Sequence, residues 1–342
     1  MDTIDFQYGL FLVDERAFCL WDQDVKKLNL DFLNNIDPEY FEYLANVNFE
    51  KLEDEKEEIH QYAALAIRTA FSQGLETLFA LIFASLQAPH CIPAWMNLYK
   101  NSELYNLVRK INKYEKINSL LKVQVLDWQI ISGVIYEALV LNDKEKESTI
   151  KRGFGQLWSR FATIFLQDGF GNEYNSIKHG LRIKTGGFSF AMGVQDAPGI
   201  PAPKERMMLM GKSKFGTSYY DINRIGNIKE HIQIRRNSRN WDPEDMVWGL
   251  KLISISISNI VSALKIHNGI KPDDVQFHWP SDLESFNEPW KRSRTLGVTS
   301  MTGFGLIMPP QLETEFSKDE IIQNYLKDKI LGIKRYQIGD PK

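Results

Sequence analysis

The chain has 342 residues, of which 43% are hydrophobic and 25% charged, and a formal net charge of -3. This length can bury a full core and fits about two domains of ordinary size or one elaborated domain. The 41 Lys and Arg residues nearly balance the 44 Asp and Glu residues, so no chain-wide basic field attracts nucleic acid. Any contact with nucleic acid must therefore come from a local patch.

The cysteines and the N-terminus indicate the compartment. Cys19 and Cys91 lie far apart without His or Cys at ligand spacing, so neither a disulfide framework nor a zinc site is predicted, and we expect no cofactor. The first residues lack the basic start and the apolar stretch of a signal peptide. The most apolar run, residues 78 to 86, is about half of the roughly 20 residues that a membrane span needs. We therefore expect a cytoplasmic protein that does not cross a membrane.

The first half of the chain has the pattern of helices. Residues 1 to 57 are predicted to form an N-terminal arm that ends in an acidic run. Negative charge suits a helix start, and apolar residues at helical spacing predict a helix over residues 59 to 88. Pro89 ends this helix and Pro93 opens the next one, which predicts a long helical hairpin. Helical spacing continues over residues 94 to 113, 120 to 141 and 146 to 166.

The pattern changes after residue 181. Gly and Pro become frequent, and short alternating runs at residues 187 to 194, 206 to 211, 218 to 223 and 231 to 235 predict a small antiparallel sheet. The sequence Asp242-Pro243-Glu244 predicts a capped helix to about residue 266, although alternating Ile and Ser over residues 253 to 258 would also fit a strand. Residues 304 to 308 predict one buried strand, and Ser317 with Glu320 predicts a capping box for a last helix.

These elements predict a mainly α (α+β) fold with three parts. The first is the N-terminal arm, residues 1 to 57. The second is a helical bundle over residues 58 to 268, interrupted by a small antiparallel β insertion at about residues 183 to 240, after the helix that carries His179. The third is a C-terminal extension over residues 269 to 342 with a terminal helix.

One segment combines residue types that can take part in catalysis or ligand binding. It is Tyr174-Asn175-Ser176-Ile177-Lys178-His179-Gly180. Asn175 and His179 are four residues apart, so on a helix both side chains project from one face, and Lys178 and Arg182 form a second such pair. With the helices before it, this segment resembles the end of the HEPN (higher eukaryotes and prokaryotes nucleotide-binding) superfamily. Ribonuclease members of that superfamily carry an Arg, a polar residue that is often Asn, and a His a few residues later. Tyr174 stands where the Arg is expected.

The resemblance implies a metal-independent endoribonuclease that usually works as a homodimer. Its catalytic residues would be His179 and Asn175, which flank the scissile phosphate, with neutral His179 as the base. A tyrosine cannot supply the permanent charge of the missing Arg, so Lys178, Arg182 or another basic residue would have to replace it. Family members without the Arg resemble non-catalytic binding modules, for which Tyr174 and Arg182 are binding candidates. We therefore expect either a degenerate ribonuclease or an RNA-binding protein of a defence-type system.

Basic residues are frequent after His179. They are Lys184, Arg206, Lys212, Lys214, Arg224, Lys229, Arg235, Arg236 and Arg239, with Tyr219, Tyr220 and Trp241 among them. Such interleaving is typical of surfaces that hold a nucleic-acid backbone and stack bases, and it makes Arg235 and Arg236 further binding candidates. A solvated sheet face with basic residues at its edges has the same composition.

Other interpretations compete with the RNA hypothesis. His179 before Gly180 also fits a structural residue at a helix C-terminus. Glu76 lies in an apolar stretch, so we expect it to pair with Arg68 or Arg160, either as an interhelical ion pair or in a pocket. The alternative class of function is a non-enzymatic structural or interaction protein that forms a homodimer through the helical hairpin.

Overall fold

The structure, a computed structural model, describes residues 7–22, 24–118, 125–224, 232–291, 295–303 and 317–332. It divides into two compact units, residues 1–220 with 237–301 and residues 221–236 with 302–342. The described residues form ten α-helices and nine β-strands, and the strands belong to small antiparallel sheets. The predicted mixed α+β class, rich in helix, is confirmed.

The first unit begins with a β-hairpin that the sequence did not predict. Strand β1 (Gln7–Val13) pairs with β2 (Arg16–Asp22), and Asp14 makes the turn with φ +51°. The central part of β1 is a continuous apolar run without the alternation of a half-buried strand, which explains the omission. Helices α1 (Val25–Asn34) and α2 (Glu39–Phe49) follow, and Asp24 caps α1 by accepting a hydrogen bond from the Lys27 backbone N–H at 3.0 Å.

The predicted long helix is present as α3 (Glu57–Gln87), which starts with two glutamates and packs against α2 and against α9, described below. The hairpin partner is shorter than predicted. Helix α4 (Ile92–Leu98) has Pro93 in its first turn and ends at Tyr99, whose ψ of 151° is extended. The prediction of one helix over residues 94 to 113 was therefore wrong, because α5 (Asn101–Asn112) starts anew.

Three helices lead to the predicted site. Helix α6 (Trp128–Ile135) is shorter than the predicted helix over residues 120 to 141, part of which lies outside the described residues. Helix α7 (Lys144–Phe165) confirms the prediction, and Asp143 caps it by accepting from the Lys146 N–H at 2.9 Å. Helix α8 (Phe170–Lys178) starts after Gly169, whose φ of +79° is a conformation that favours glycine.

Strands follow α8, but they form two sheets where one small antiparallel sheet was predicted, and each sheet includes a strand from beyond residue 295. The strands are β3 (Ile183–Thr185), β4 (Ser189–Met192), β5 (Met208–Lys212), β6 (Gly216–Arg224), β7 (Ile232–Asn240), β8 (Leu296–Gly297) and β9 (Ser300–Thr302). One sheet has the order β3-β6-β7-β9 and the other the order β4-β5-β8. The four alternating runs correspond to β4, β5, β6 and β7. Strands β3 and β8 have only three and two residues, which is too short for an alternation of apolar and polar residues to be recognised in the sequence.

Helix α9 (Pro243–His267) confirms the capped start, because Asp242 accepts from the Glu244 N–H at 3.0 Å. The strand alternative for residues 253 to 258 was wrong. The Ser256 hydroxyl is satisfied inside the helix, since it donates to the Leu252 carbonyl at 2.8 Å and accepts from Trp158 Nε1 at 3.1 Å. The Ser256 hydroxyl can therefore be accommodated in a buried helix.

The second unit contains α10 (Lys318–Gly332). The Ser317 N–H donates to Glu320 Oε2 at 2.8 Å and the Glu320 N–H to Ser317 Oγ at 3.3 Å, which confirms the predicted capping box. The strand predicted over residues 304 to 308 lies outside the described residues.

Among the described residues, α3 and α9 are long and apolar enough to cross a membrane, and each is mostly buried inside the protein. The apolar part of α3 is thus longer than residues 78 to 86. The sequence analysis took the short apolar run as evidence against a membrane span, and the length of α3 does not support that argument. Core helices of soluble proteins have the same length and composition, so these two helices are weak support for a membrane span. That the protein does not cross a membrane stays a prediction.

Candidate functional site

The two sides of α8 differ in exposure. Each residue of an α-helix is rotated by about 100° from the one before, so Asn175 and His179 project from one side and Glu173 from nearly the opposite side. Glu173 is fully buried, Asn175 is half-buried and His179 is exposed. His179 is the C-cap that follows the last helical residue, Lys178, and the next residue, Gly180, has φ +107°. The buried side and the exposed end are therefore separate environments.

The predicted site residues lie together at the exposed end. Lys178, His179 and Arg182 are exposed, and the Lys178 ammonium lies 5.5 Å from the centroid of the Tyr174 ring. This cation–π contact joins residues four apart on the helix, so Lys178 is held towards Tyr174 and not towards His179. Asn175 is linked to His179 through the backbone, where the His179 N–H donates to the Asn175 carbonyl at 3.0 Å.

Tyr174 is neutral at physiological pH. Burial raises its pKa to about 12, with a further contribution from the charge of Glu76 and a hydrogen bond to it. Tyr99 also donates to Glu76 Oε1, at 3.4 Å. The predicted pairing of Glu76 with Arg68 or Arg160 was therefore wrong, because two tyrosine hydroxyls satisfy this carboxylate. At the position of the expected Arg, the chain therefore has Tyr174, which is neutral, buried and hydrogen-bonded to Glu76.

A buried ion pair lies on the other side of α8. Arg68 Nη2 donates to Glu173 Oε2 at 2.5 Å, Trp241 Nε1 donates to Oε1 at 3.0 Å, and the Thr217 hydroxyl also donates to Oε1. Arg239 Nε lies 3.8 Å from Oε2. Burial alone would raise the pKa of Glu173, but the Arg68 charge and the hydrogen bonds from Arg68 and Thr217 outweigh it, so the pKa is lowered. Glu173 is thus an ionised structural residue.

Both arginines near Glu173, Arg68 and Arg239, have other contacts close to α8. Arg68 Cζ lies 4.9 Å from the centroid of the Phe170 ring, in addition to the Glu173 contact. Arg239 donates to the Asp168 carbonyl at 2.9 Å, and burial, together with the charge of Arg68, lowers its pKa. Because both approach α8 from the Glu173 side, neither replaces the Arg that is missing from the motif.

A cavity of about 370 Å³ adjoins the buried ion pair within the first unit. Charged side chains and aromatic rings line it: Arg68, Arg239, Asp242, Asp245, Phe71, Phe161, Trp241 and Trp290. Burial raises the pKa of Asp245 to about 7, with contributions from the charges of Asp242 and Glu244. The sequence analysis missed this cavity, since Asp242 was interpreted only as a helix cap and Asp245 carried no signal of its own.

The basic residues of the first unit differ in their exposure and pairing. Lys184, Lys212 and Lys214 are exposed, whereas Arg206 is paired with Asp196 at 2.8 Å. Among the aromatic residues, Tyr219 and Trp241 are buried and cannot stack bases, whereas Tyr220 is 68% exposed. The available cations are therefore fewer than the sequence suggested.

Arg224, Arg235 and Arg236 belong to the second unit. Arg236 is exposed, and Arg235 is half-buried with its Nε donating to Gln233 Oε1 at 3.2 Å. Lys229 lies outside the described residues. These residues stay binding candidates on a unit separate from the one that carries His179.

The exposed end of α8 offers hydrogen-bonding and positively charged groups at a solvent-accessible surface. Within the described ranges, no cluster of three or more His, Cys, Asp or Glu side chains is arranged to hold a metal ion. No family model, no curated protein and no solved structure matches this chain.

Proposed function

We propose that this chain is a HEPN-like, RNA-binding protein whose main helices form a helical bundle. Its RNA contact is the basic end, which we define as Lys178, His179, Arg182, Lys184 and Tyr220. The observation that carries the proposal is that these five side chains are exposed, with no acidic residue between Lys178 and Lys184. The protein would belong to a defence-type system, remain in the cytoplasm and not cross a membrane.

The pairing of β3 with β6 supports the grouping of Tyr220 and Lys184 with Arg182 in the basic end. Ile183 pairs with Tyr219, so Tyr220 lies beside the start of β3, where Arg182 precedes the strand. Lys184 pairs with Ser218, two residues from Tyr220, and therefore projects from the same sheet face as Tyr220. An exposed aromatic ring among cations is suited to stack one base while the cations contact phosphates.

Binding is supported better than cleavage. The motif position before Asn175 does not supply a guanidinium, because the neutral Tyr174 occupies it. Lys178 is exposed and held over Tyr174, which leaves it a weak substitute for a fixed cation at a phosphate. We therefore propose a binding module, and a degenerate metal-independent ribonuclease is the outcome that would replace it.

The binding proposal can be tested by charge reversal. We expect Lys178→Glu combined with Arg182→Glu to weaken the binding of a labelled single-stranded RNA, measured by fluorescence anisotropy over a salt series. Each phosphate contact on a single strand contributes a slope of about −0.7 to log K against log salt, so losing two contacts should flatten the slope by about 1.4.

The matched control is Lys26→Glu combined with Lys27→Glu, which makes the same charge change at exposed residues of α1. It should leave the salt slope unchanged. An equal loss of affinity in both double variants, or binding that does not respond to salt, would overturn the assignment of the surface. The variants Arg235→Glu and Arg236→Glu test the second unit in the same assay.

Cleavage is tested with the same RNA in the presence of a chelator. We expect the intact chain to bind the RNA without shortening it on a denaturing gel. Cleavage that disappears in His179→Ala and in Asn175→Ala, with the fold retained by circular dichroism, would establish the ribonuclease alternative. Contamination is recognised because cleavage would then persist in both variants.

The alternative of a homodimer through the helical hairpin finds less support. Leu75, Leu78 and Ile82 are fully buried within the chain's own core, so that side of α3 is not free for a second copy. Helix α4, the hairpin partner, has seven residues. A homodimer would have to use another surface, and sedimentation of the purified chain tests whether one forms.

A further inference from the structure

The cavity beside the Arg68 and Glu173 pair combines opposite charges with aromatic walls. We propose that it binds a small zwitterionic ligand, an α-amino acid with an apolar or aromatic side chain. The ligand carboxylate would meet Arg68, its ammonium group would meet Asp245, and its side chain would lie among the rings. This site is distinct from the basic end, because it adjoins the buried side of α8, and it does not depend on RNA binding.

The cationic side of the cavity has an unused donor. Arg68 is only 4% exposed, and its Nη2 is occupied by Glu173. Its Nε is buried and has no hydrogen-bond acceptor. A buried donor without an acceptor is unfavourable, and most such groups in proteins are satisfied by protein, water or ligand. Arg68 lines the cavity, so a carboxylate bound there would meet its guanidinium group.

The acidic side of the cavity has two carboxylates. Asp242 is the N-cap of α9 and Asp245 lies in the first turn of that helix, and both line the cavity. Asp242 already accepts from the Glu244 N–H at 3.0 Å, whereas the pKa of Asp245 is raised to about 7 by burial and by the neighbouring carboxylates. A bound ammonium group would offset both effects and favour the ionised form of Asp245.

The balance of charge favours a zwitterion over a simple ion. The charge of Arg68 is compensated by Glu173, and Arg239 and Asp242 contribute one charge of each sign. A simple anion would be repelled by the two aspartates, and a simple cation would be repelled by the two arginines. A ligand with both groups would contact the Arg68 guanidinium and Asp245 together and would add no net charge to the interior.

The size and the walls limit the ligand. Ligand pockets span roughly 300–1,000 Å³, and at about 370 Å³ this cavity suits a single amino acid and not a large cofactor. Phe71 and Phe161 form buried walls, and Trp290, which is 37% exposed, lies at the edge with the exposed Gln167. The ligand can therefore enter beside Trp290 and place an apolar side chain against the rings.

Calorimetric titration of the full chain with phenylalanine, tryptophan, leucine and glutamate tests the proposal. An apolar or aromatic amino acid should bind, and glutamate should not. For phenylalanine, the matched probes are phenethylamine, which lacks the carboxylate, and 3-phenylpropanoate, which lacks the amine. Each should bind about tenfold to hundredfold more weakly, because each loses one charge-assisted contact.

Asp245→Asn assigns the amine contact. It should weaken phenylalanine binding and leave the affinity for 3-phenylpropanoate unchanged or higher. The control Asp273→Asn makes the same chemical change at an exposed residue outside the cavity and should alter neither affinity. Trp290→Ala, at the edge of the cavity, should also weaken phenylalanine binding, which gives an independent readout if Asp245→Asn proves unstable.

The proposal is overturned if none of the apolar or aromatic amino acids binds the folded chain at millimolar concentration. It is also overturned if phenethylamine or 3-phenylpropanoate binds as well as phenylalanine, or if Asp273→Asn has the same effect as Asp245→Asn. Failure of RNA binding at the basic end leaves these outcomes unaffected, since the probes and the variants are different.

Discussion

Helix α8 has a buried side at Glu173 and an exposed end at His179, only six positions apart in the sequence. At Glu173, both carboxylate oxygens have partners and the charge is compensated by Arg68. At His179, the side chain faces solvent and the helix ends. A polar residue with full partners in the interior maintains the fold, whereas a polar residue at the surface is free to contact a ligand. The following predictions test this division in order of decreasing effect.

The largest effect is expected for Glu173→Gln. It keeps the shape of the side chain but leaves the buried Arg68 charge without compensation, and breaking a buried pair in this way costs about 3–5 kcal/mol. Urea unfolding should show that loss, whereas Glu205→Gln, at an exposed position, should change the free energy of unfolding by less than about 0.5 kcal/mol. Adding Arg68→Met to Glu173→Gln should restore part of the stability. Equal effects of the two Glu→Gln variants would contradict the structural role.

The same pair predicts a dependence on pH. The pKa of Glu173 is lower in the folded state than its ordinary value of about 4.3. Its contribution to stability is therefore fully present above about pH 4.3 and is lost as the pH falls through the folded pKa. The difference in melting temperature between the unsubstituted chain and Glu173→Gln should shrink in acid. A difference that stays constant down to pH 2 would show that Glu173 is not ionised.

An intermediate effect is expected at the start of α8. Gly169 has φ +79°, and a Cβ there would collide with the Tyr219 hydroxyl, which donates to the Gly169 carbonyl at 2.9 Å. Gly169→Ala should lower the free energy of unfolding by about 1–3 kcal/mol. Gly171→Ala, inside the same helix and without a neighbour near the added Cβ, should instead raise it by about 0.5–1 kcal/mol. Unfolding curves in urea compare the two, and effects of the same sign would contradict this interpretation.

An effect of opposite sign is expected at the cavity. The pKa of Asp245 is raised to about 7, so the folded state binds more protons than the unfolded state between about pH 4 and pH 7. Stability from this group is present below the unfolded pKa and is lost as the pH rises through about 7. Asp245→Asn should therefore be more stable than the unsubstituted chain at pH 8, with the difference disappearing near pH 4. Melting temperatures at both pH values measure it, and a difference independent of pH would exclude the raised pKa.

The smallest effect on stability is expected for His179→Ala. The side chain is exposed at the end of α8, so its loss should change the free energy of unfolding by no more than about 0.5 kcal/mol. RNA affinity should nevertheless fall if the basic end is the contact surface. A large loss of stability would place His179 among the structural residues, as the helix C-terminus interpretation holds.

Local signals in the sequence were sufficient for several elements. The Asp242-Pro243 start and the Ser317 capping box each involve residues within a few positions, and each was confirmed. The hairpin of β1 and β2, the break at Tyr99 and the short strand β3 were missed. Their formation depends on pairing or on packing that the local pattern does not encode.

The candidate site followed the same rule. Helical spacing was enough to place Asn175 and His179 on one side of a helix that ends before Gly180. The contacts of Tyr174 with Glu76 and of Arg68 with Glu173 join residues about a hundred positions apart, so no local pattern identifies them. The cavity likewise appears only when α3, α7 and α9 are assembled.

The sequence by itself determined the balance of helix and strand, the principal helix starts and the grouping of His179 with Asn175, because these follow from periodicity and from hydrogen bonds between near neighbours. Tertiary structure decided which charged residues are buried and paired. The energy of an ionised group depends on the solvent and the charges around it, and those are set by distant segments. Glu173 and His179, six positions apart in the sequence, therefore lie in opposite environments that the tertiary structure alone distinguishes.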